Sequence, residues 1–353
     1  MSFRVRDAFL ISLVLLVLAV PACAEDESPR AVPPSPAAEE ELVSPKAASE
    51  LLSQFEYHDG KVYSVAFSPD GELVAGGTYL EARLWDVSVG TLVSTVEYPD
   101  IVADLAFSPD GLLLGAGQST DGVHLSRVAD GDVLRLHGGY NNRLAFSPDG
   151  ETLATGNRDG VVWLWRLDDG KQLAALEPPT DEWGLTDQWI LALAFSPDGE
   201  IVAAGHGEGT VYLWWVSDGR LLQTLESQTR FCRANSLAFS PNSELLAVAG
   251  ARDERADVVR LWSVSAGTQH QDLPMTQQAR AVAFSPDGRL LAAGSEEELI
   301  LWEMPGASVR YTVDHVGQLE ERDWITDLSF SPDGALLAAG RWIGILELWE
   351  AGP

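Results

Sequence analysis

The chain has 353 residues and a formal net charge of −30 at pH 7. An acidic excess of this size excludes the broad basic surface that phosphate backbones and anionic lipids require, so we expect no nucleic-acid partner. The length suffices for one large folded domain, and internal repeats account for a domain above the usual size.

The first 24 residues predict a signal peptide. Two arginines precede an apolar run over residues 8–20, which is shorter than the roughly 20 residues of a membrane span. Ordinary cleavage after Ala24 gives a secreted protein, and an uncleaved anchor is a further alternative. The segment Val20–Cys23 instead resembles a bacterial lipoprotein box with Cys23 as the lipidated residue. We favour this interpretation and expect an exported lipoprotein of the cell envelope, periplasmic or extracellular, attached to a membrane only through Cys23.

Residues 25–49 are rich in Glu, Pro, Ala and Ser and have no apolar periodicity. This composition predicts a disordered acidic tether. The chain has two cysteines, and removal or lipidation of Cys23 leaves Cys232 alone. We therefore expect no intramolecular disulfide in the mature protein.

After the tether, the hexapeptide Ala-Phe-Ser-Pro-Asp-Gly of residues 66–71 recurs six more times with little change. Its phenylalanines are 39 to 49 residues apart, at Phe67, Phe107, Phe146, Phe195, Phe239, Phe284 and Phe330. Self-similarity at such a period indicates a repeat architecture. Each copy predicts a hairpin, because Ala-Phe ends a strand, Ser-Pro-Asp-Gly forms a tight turn, and a small apolar run such as Leu73–Gly76 forms the second strand.

A Leu-Trp pair predicts the end of a third strand in most repeats. The pairs are Leu84-Trp85, Leu164-Trp165, Leu213-Trp214, Leu261-Trp262, Leu301-Trp302 and Leu348-Trp349, while the second repeat has Leu125-Ser126. A glycine-containing turn and a fourth apolar run, such as Leu221–Leu225, follow the pair. Each repeat thus predicts four strands.

The combination of turn, small-residue strand and Leu-Trp resembles the WD-repeat β-propeller family, as an exported bacterial type, over about residues 51–350. The resemblance implies an all-β, seven-bladed β-propeller over residues 50–353, with four antiparallel strands per blade. Only Trp85-Asp86 keeps the Trp-Asp pair of the family. The family's internal hydrogen-bond network is therefore at best partial, with His58, Ser64 and Trp85 as its candidates in the first blade. The Ser-Pro-Asp-Gly hairpins also resemble the six-bladed periplasmic propellers related to the TolB protein, which lack the Leu-Trp ending.

The two ends of the repeat region predict how the ring closes. The seventh repeat stops after Trp349 without a fourth strand, and Leu51–Phe55 resembles the fourth strand Leu221–Leu225. We expect the N-terminal strand to complete the last blade and close the ring, which protects the strand edges.

The sequence contains no recognisable catalytic constellation. The six histidines lack metal-ligand spacing, and we find no nucleophile elbow, phosphate-binding loop or kinase motifs. We therefore expect a protein that is not an enzyme, with no catalytic residues, no metal site and no cofactor.

The variable loops carry the candidate binding residues. Loops between fourth and first strands, and between second and third strands, share one face around the channel mouth, and here they hold aromatic and Arg residues of the kind that forms binding hot spots. The candidates are Tyr79, Tyr98, Tyr140, Arg158, Trp183, Trp189, His206, Phe231, Arg233, Trp324, Arg341 and Trp342. We expect a monomeric scaffold that binds a protein or peptide partner. The alternatives are a channel-mouth site for a small molecule, glycan or metal near His206 and Glu208, a TolB-like propeller, or a purely structural spacer.

Overall fold

The computed structural model describes most of the repeat region, and the described residues lie in one compact unit, 44–353. They are residues 50–57, 60–136, 143–179, 189–226, 233–252, 257–296, 298–314 and 323–352. The predicted signal peptide and tether lie outside the described residues, as do Cys23, His58, Tyr140, Trp183, Phe231 and Cys232. No helix in the described ranges has the length and apolarity that crossing a membrane requires.

The described chain folds into seven four-stranded antiparallel sheets, which are the blades of a β-propeller. The predicted all-β fold with seven blades is confirmed, and the six-bladed TolB-like alternative is wrong. In six blades the four strands are consecutive in sequence and pair in chain order, so each repeat forms one blade by simple hairpin connections.

The strand bounds follow the repeats. Blade 1 contains β2 (Ser64–Phe67), β3 (Leu73–Gly77), β4 (Glu81–Asp86) and β5 (Leu92–Glu97). Blade 2 contains β6 (Val102–Phe107), β7 (Leu113–Gln118), β8 (Gly122–Arg127) and β9 (Val133–Leu136). Blade 3 contains β10 (Arg143–Phe146), β11 (Thr152–Gly156), β12 (Val162–Arg166) and β13 (Gln172–Leu176). Blade 4 contains β14 (Ile190–Phe195), β15 (Ile201–His206), β16 (Val211–Trp215) and β17 (Leu221–Leu225). Blade 5 contains β18 (Ser236–Phe239), β19 (Leu245–Arg252), β20 (Asp257–Ser263) and β21 (Thr268–Met275). Blade 6 contains β22 (Ala281–Phe284), β23 (Leu290–Gly294), β24 (Glu298–Glu303) and β25 (Ser308–Asp314). Blade 7 contains β26 (Ile325–Phe330), β27 (Leu336–Arg341), β28 (Ile345–Glu350) and the N-terminal β1 (Leu51–Glu56).

The repeated turn is held by its own side chains. In blade 1, Ser68 Oγ donates to Asp70 Oδ1 at 2.5 Å, and the same carboxylate oxygen accepts the Glu72 N–H at 3.0 Å. The hydrogen bond from Ser68 lowers the pKa of Asp70. Gly71 supplies the positive φ of 74° that ends the turn. The repeated aspartate is therefore a turn-forming residue.

Side chains from facing blades form the core between neighbouring sheets. Trp214 and Trp302, both from Leu-Trp pairs, are each 1% exposed. The second strands carry small residues because the next blade packs directly on them. A Cβ added to Gly156 would lie 2.7 Å from Cγ2 of the fully buried Ile190.

The N-terminal strand closes the ring as predicted. β1 pairs antiparallel with β28, with Leu51 opposite Trp349 and Phe55 opposite Leu346. Phe55 is only 5% exposed, and its ring stacks on Trp85 of blade 1 with centroids 4.9 Å apart. The first segment of the described chain thus joins blade 7 to blade 1.

The hydrogen bonds of Ser64 and Trp85 differ from the family network. Ser64 lies on the first strand and its Oγ donates to Asp327 Oδ2 at 2.7 Å, whereas Trp85 Nε1 donates to the hydroxyl of Tyr57 at 3.2 Å. Ser64 therefore faces the channel, which the first strands line, whereas Trp85 of the third strand faces the tyrosine that follows β1 of blade 7. Blade 3 instead pairs Trp165 Nε1 with Thr155 Oγ1 of its second strand at 2.9 Å.

Candidate binding face at the channel mouth

The first strands of the blades line a central channel. Residues four positions before the repeated phenylalanines converge on a cavity of about 290 Å³, which we call the channel mouth. Those lining it are Tyr63, Ala103, Leu191, Asn235, Arg280 and Thr326. The other lining residues are Ile101, Ser119, Arg143 and Trp324.

One residue deeper along the first strands, the channel holds Asp104 and Asp327. Asp104 Oδ2 accepts the Leu144 N–H at 2.9 Å, and Asp327 Oδ2 accepts the Val65 N–H, also at 2.9 Å. Each carboxylate therefore bonds to the backbone of the next blade. Burial raises the pKa of Asp104 to about 6 against the opposing charge of Arg143, and burial also raises the pKa of Asp327.

Two tryptophans stack beside the channel mouth. The rings of Trp324 and Trp342 lie 4.2 Å apart with 27° between their planes, and the Trp342 N–H donates to the Trp324 carbonyl at 3.0 Å. Lys61 Nζ lies 3.5 Å from the centroid of the Trp342 ring, and the guanidinium carbon of Arg280 lies 4.5 Å from that of Trp324. We call Lys61, Trp342, Trp324 and Arg280 the cation–tryptophan stack.

The cation–tryptophan stack joins three blades and has both outer ring faces covered. Lys61 lies in the connection from β1 to the first strand of blade 1, the tryptophans flank strands of blade 7, and Arg280 precedes the first strand of blade 6. Each cation lies within the roughly 6 Å at which a ring quadrupole attracts it. Both tryptophans are half-buried, so their ring edges and the two cations remain for contact with a partner. This is a pre-organised aromatic and basic surface of the kind found at the centre of binding sites.

Further predicted residues lie exposed on the same loops. Trp189 is 46% exposed, with the Arg158 guanidinium 5.1 Å from its ring centroid, and Tyr79 is 54% exposed. Arg233 is also exposed, in the segment before β18. These residues stay candidates for partner contact, together with Trp324 and Trp342.

Tyr98 is buried, so we exclude it from the binding face. It is 4% exposed and its hydroxyl lies 2.9 Å from Ser126 Oγ. Burial raises its pKa to about 12. Tyr98 follows β5 of blade 1 and its hydroxyl meets blade 2, as Tyr57 follows β1 and its hydroxyl accepts from Trp85 of blade 1. Ser126 stands where most repeats have tryptophan, and the tyrosine hydroxyl meets it there.

His206 and Arg341 are also interior residues. His206 is fully buried, with its ring edge-on to Tyr212 at 5.0 Å. The Arg341 side chain is 12% exposed and ion-pairs with Asp323 and, at 2.9 Å, with Glu347. Both occupy the last position of a second strand, where the chain turns toward the third strand. Other blades have Thr78, Gln118, Asn157 and Ser295 there, all buried. The side chains at this repeat position therefore face the interior rather than solvent.

Sequence reasoning missed the mouth residues because it searched only the loops. Tyr63, Asn235 and Arg280 each lie immediately before a first strand, at the same offset from the repeated phenylalanine. Arg143 is one position further along in its repeat. Aligning the repeats on the phenylalanine would have brought this set together.

In the described part of the chain, no group of three or more His, Cys, Asp or Glu side chains is arranged to hold a metal ion. His206 is buried whereas Glu208 is exposed, so the proposed histidine–glutamate pair does not converge. What the described geometry offers is recognition by charge and aromatic contact.

Comparison with known proteins agrees with the repeat architecture. The family "WD domain, G-beta repeat" matches residues 49–86, 269–303 and 313–350, and the family "Anaphase-promoting complex subunit 4 WD40 domain" matches residues 144–234.

Individual relatives match shorter segments. Eukaryotic translation initiation factor 3 subunit I of Phaeosphaeria nodorum is 37% identical over 81 residues, which is 22% of this chain and 24% of the relative. The same subunit of Scheffersomyces stipitis is 44% identical over 63 residues, 18% of each chain. Small ribosomal subunit protein RACK1 of Drosophila melanogaster is 38% identical over 65 residues, 18% of this chain and 20% of the relative. The chain thus spans about a quarter or less of the length of these relatives, all of which are eukaryotic. Over these matched segments the chain is similar to the WD40 repeat family, and its seven four-stranded blades form a propeller.

Proposed function

We propose that this protein is a non-enzymatic scaffold that binds a protein or peptide partner, as a monomer, through the loop face around the channel mouth. The observation that carries the proposal is the cation–tryptophan stack, which holds two tryptophans and two cations in fixed positions at the surface. Aromatic and arginine side chains held in this way lose little conformational freedom on binding. Two relatives support this proposal by their names, since one is a subunit of a translation initiation factor and the other is a protein of the small ribosomal subunit. Both names describe a component of a multi-protein assembly.

Affinity capture tests the proposed scaffold. The tagged protein and its Trp324→Ala variant are used to capture partners from the native organism, with Leu112→Ala as the control. Leu112 is 65% exposed on a turn between first and second strands, at the opposite end of the blades from the stack. We expect Trp324→Ala to lose a partner that Leu112→Ala retains, with both variants folded by circular dichroism. Retention of every partner by Trp324→Ala contradicts the proposal.

We further propose that the protein is exported and lipidated at Cys23. The support is the order of features in the first 24 residues, a positive start, a short apolar run and small residues. Fractionation of cells expressing wild type and Cys23→Ala, with mass spectrometry of the mature N-terminus, tests this. Membrane attachment that depends on Cys23 is expected. A mature protein that begins after Ala24 supports plain secretion instead, and a cytosolic protein with an intact N-terminus overturns export.

A further inference from the structure

The charge of the channel mouth is opposite to that of the chain. The formal net charge of the protein is −30, yet the described residues lining the mouth include Arg143 and Arg280 and no carboxylate. The carboxylates Asp104 and Asp327 line the adjoining part of the channel, at the same repeat position as Arg143, and backbone N–H groups of the next blades donate to them.

The two arginines are held in place before any partner arrives. The Arg280 guanidinium lies over the Trp324 ring at 4.5 Å and forms a salt bridge with Glu296 at 3.1 Å. Arg143 Nη1 donates to the Ala103 carbonyl at 2.6 Å. Each guanidinium has five N–H donors, so these contacts leave donors for a ligand in the cavity.

A cationic ligand is disfavoured at this site. An aromatic cage binds a cation on open ring faces, but Lys61 and Arg280 already cover the outer faces of Trp342 and Trp324. The cavity next to the stack therefore has aromatic walls with positive charge.

We infer that the channel mouth binds a carboxylate side chain of an acidic peptide segment in the partner, between Arg280 and Arg143 and against Trp324. This inference rests on the proposed scaffold function and names the chemistry of its ligand. Carboxylate fits better than a doubly charged phosphate, because Arg280 already shares its charge with Glu296 and Arg143 lies close to Asp104. Guanidinium groups bind carboxylates through paired hydrogen bonds.

Fixed-position peptide libraries test the inference. Four capped nonapeptide libraries are random except at the centre, which is Glu, Gln, Lys or phosphoserine, and binding to the full chain is measured at low and high salt. We expect the Glu library to bind best, and its binding to weaken as salt rises. Arg280→Gln and Arg143→Gln should each weaken binding of the Glu library about tenfold, the loss of one charge-assisted contact.

Arg289→Gln is the matched control. Arg289 lies in the same blade as Arg280 but on the turn between the first and second strands, at the opposite end of the sheet, with its side chain 80% exposed. Its change should leave Glu-library binding unaltered.

Each outcome decides a different statement. Equal binding of the Glu and Gln libraries, preference for Lys or phosphoserine, or an equal effect of Arg289→Gln and Arg280→Gln overturns the carboxylate inference and leaves the scaffold standing. Absence of binding by all four libraries, together with failure to capture any partner, overturns the scaffold function itself.

Discussion

Truncating the phenylalanine of the N-terminal strand should weaken the closure of the propeller. Phe55 is 5% exposed, stacks on Trp85 of blade 1 and pairs through β1 with Leu346 of blade 7. Replacing a buried phenylalanine with alanine typically costs about 3–5 kcal/mol, because transfer energy is lost and a cavity remains. We therefore expect Phe55→Ala to lower the free energy of unfolding by that amount.

Leu52→Ala is the matched control, since Leu52 lies on the same strand but is 49% exposed. Its cost should stay below about 1 kcal/mol. Urea unfolding followed by tryptophan fluorescence and by circular dichroism measures both variants. A Phe55→Ala protein as stable as Leu52→Ala would show that the strand is not a structural part of blade 7, and the account of ring closure would fall.

Three further changes test the interior. Tyr98→Phe removes the hydroxyl that hydrogen-bonds with Ser126, and it should lower the free energy of unfolding in urea by about 0.5–1.5 kcal/mol. Partner capture should stay unchanged, and a loss of capture would return Tyr98 to the binding face. Gly156→Ala places a methyl group against Ile190 and should cost about 1–3 kcal/mol, and a neutral result would contradict the close approach of blades 3 and 4. Burial raises the pKa of Asp104 from its ordinary value of 3.8 to about 6, so the folded state holds a proton more tightly than the unfolded state. The stability that this proton contributes is fully present below pH 3.8 and is lost as pH rises through 6. The free energy of unfolding of wild type minus that of Asp104→Asn should therefore fall by up to about 3 kcal/mol between pH 4 and 7, and a difference that rises with pH would contradict the burial of this carboxylate.

The sequence predicted the fold well because every repeat carries the same local chemistry. Seven copies of a Ser-Pro-Asp-Gly turn specify seven hairpins, and each turn depends only on residues within itself, as Ser68 and Asp70 show. The missing fourth strand after Trp349 identified the closure, because the seventh blade needs a fourth strand and Leu51–Phe55 resembles one.

The binding face was harder to predict because position in a loop does not decide exposure. The sequence named Trp324 and Trp342 as candidates, but it did not show that their rings stack, which accompanies a backbone hydrogen bond between the residue before β26 and the residue after β27. His206 and Arg341 were assigned to the loop face although they end second strands and turn inward. Arg280 was overlooked because it belongs to the start of a first strand and reaches the mouth only when the ring closes.

The central claim is that a partner binds the loop face around the channel mouth. Hydrogen–deuterium exchange of the protein alone and in complex with a captured partner tests it directly, since protected amides report the covered surface. The account predicts protection at residues 60–63, 323–325 and 341–344, which carry Lys61 and the two tryptophans of the cation–tryptophan stack. It predicts no change at the opposite turns 68–71 and 285–288. Protection confined to those opposite turns, or to the outer fourth strands, would contradict it.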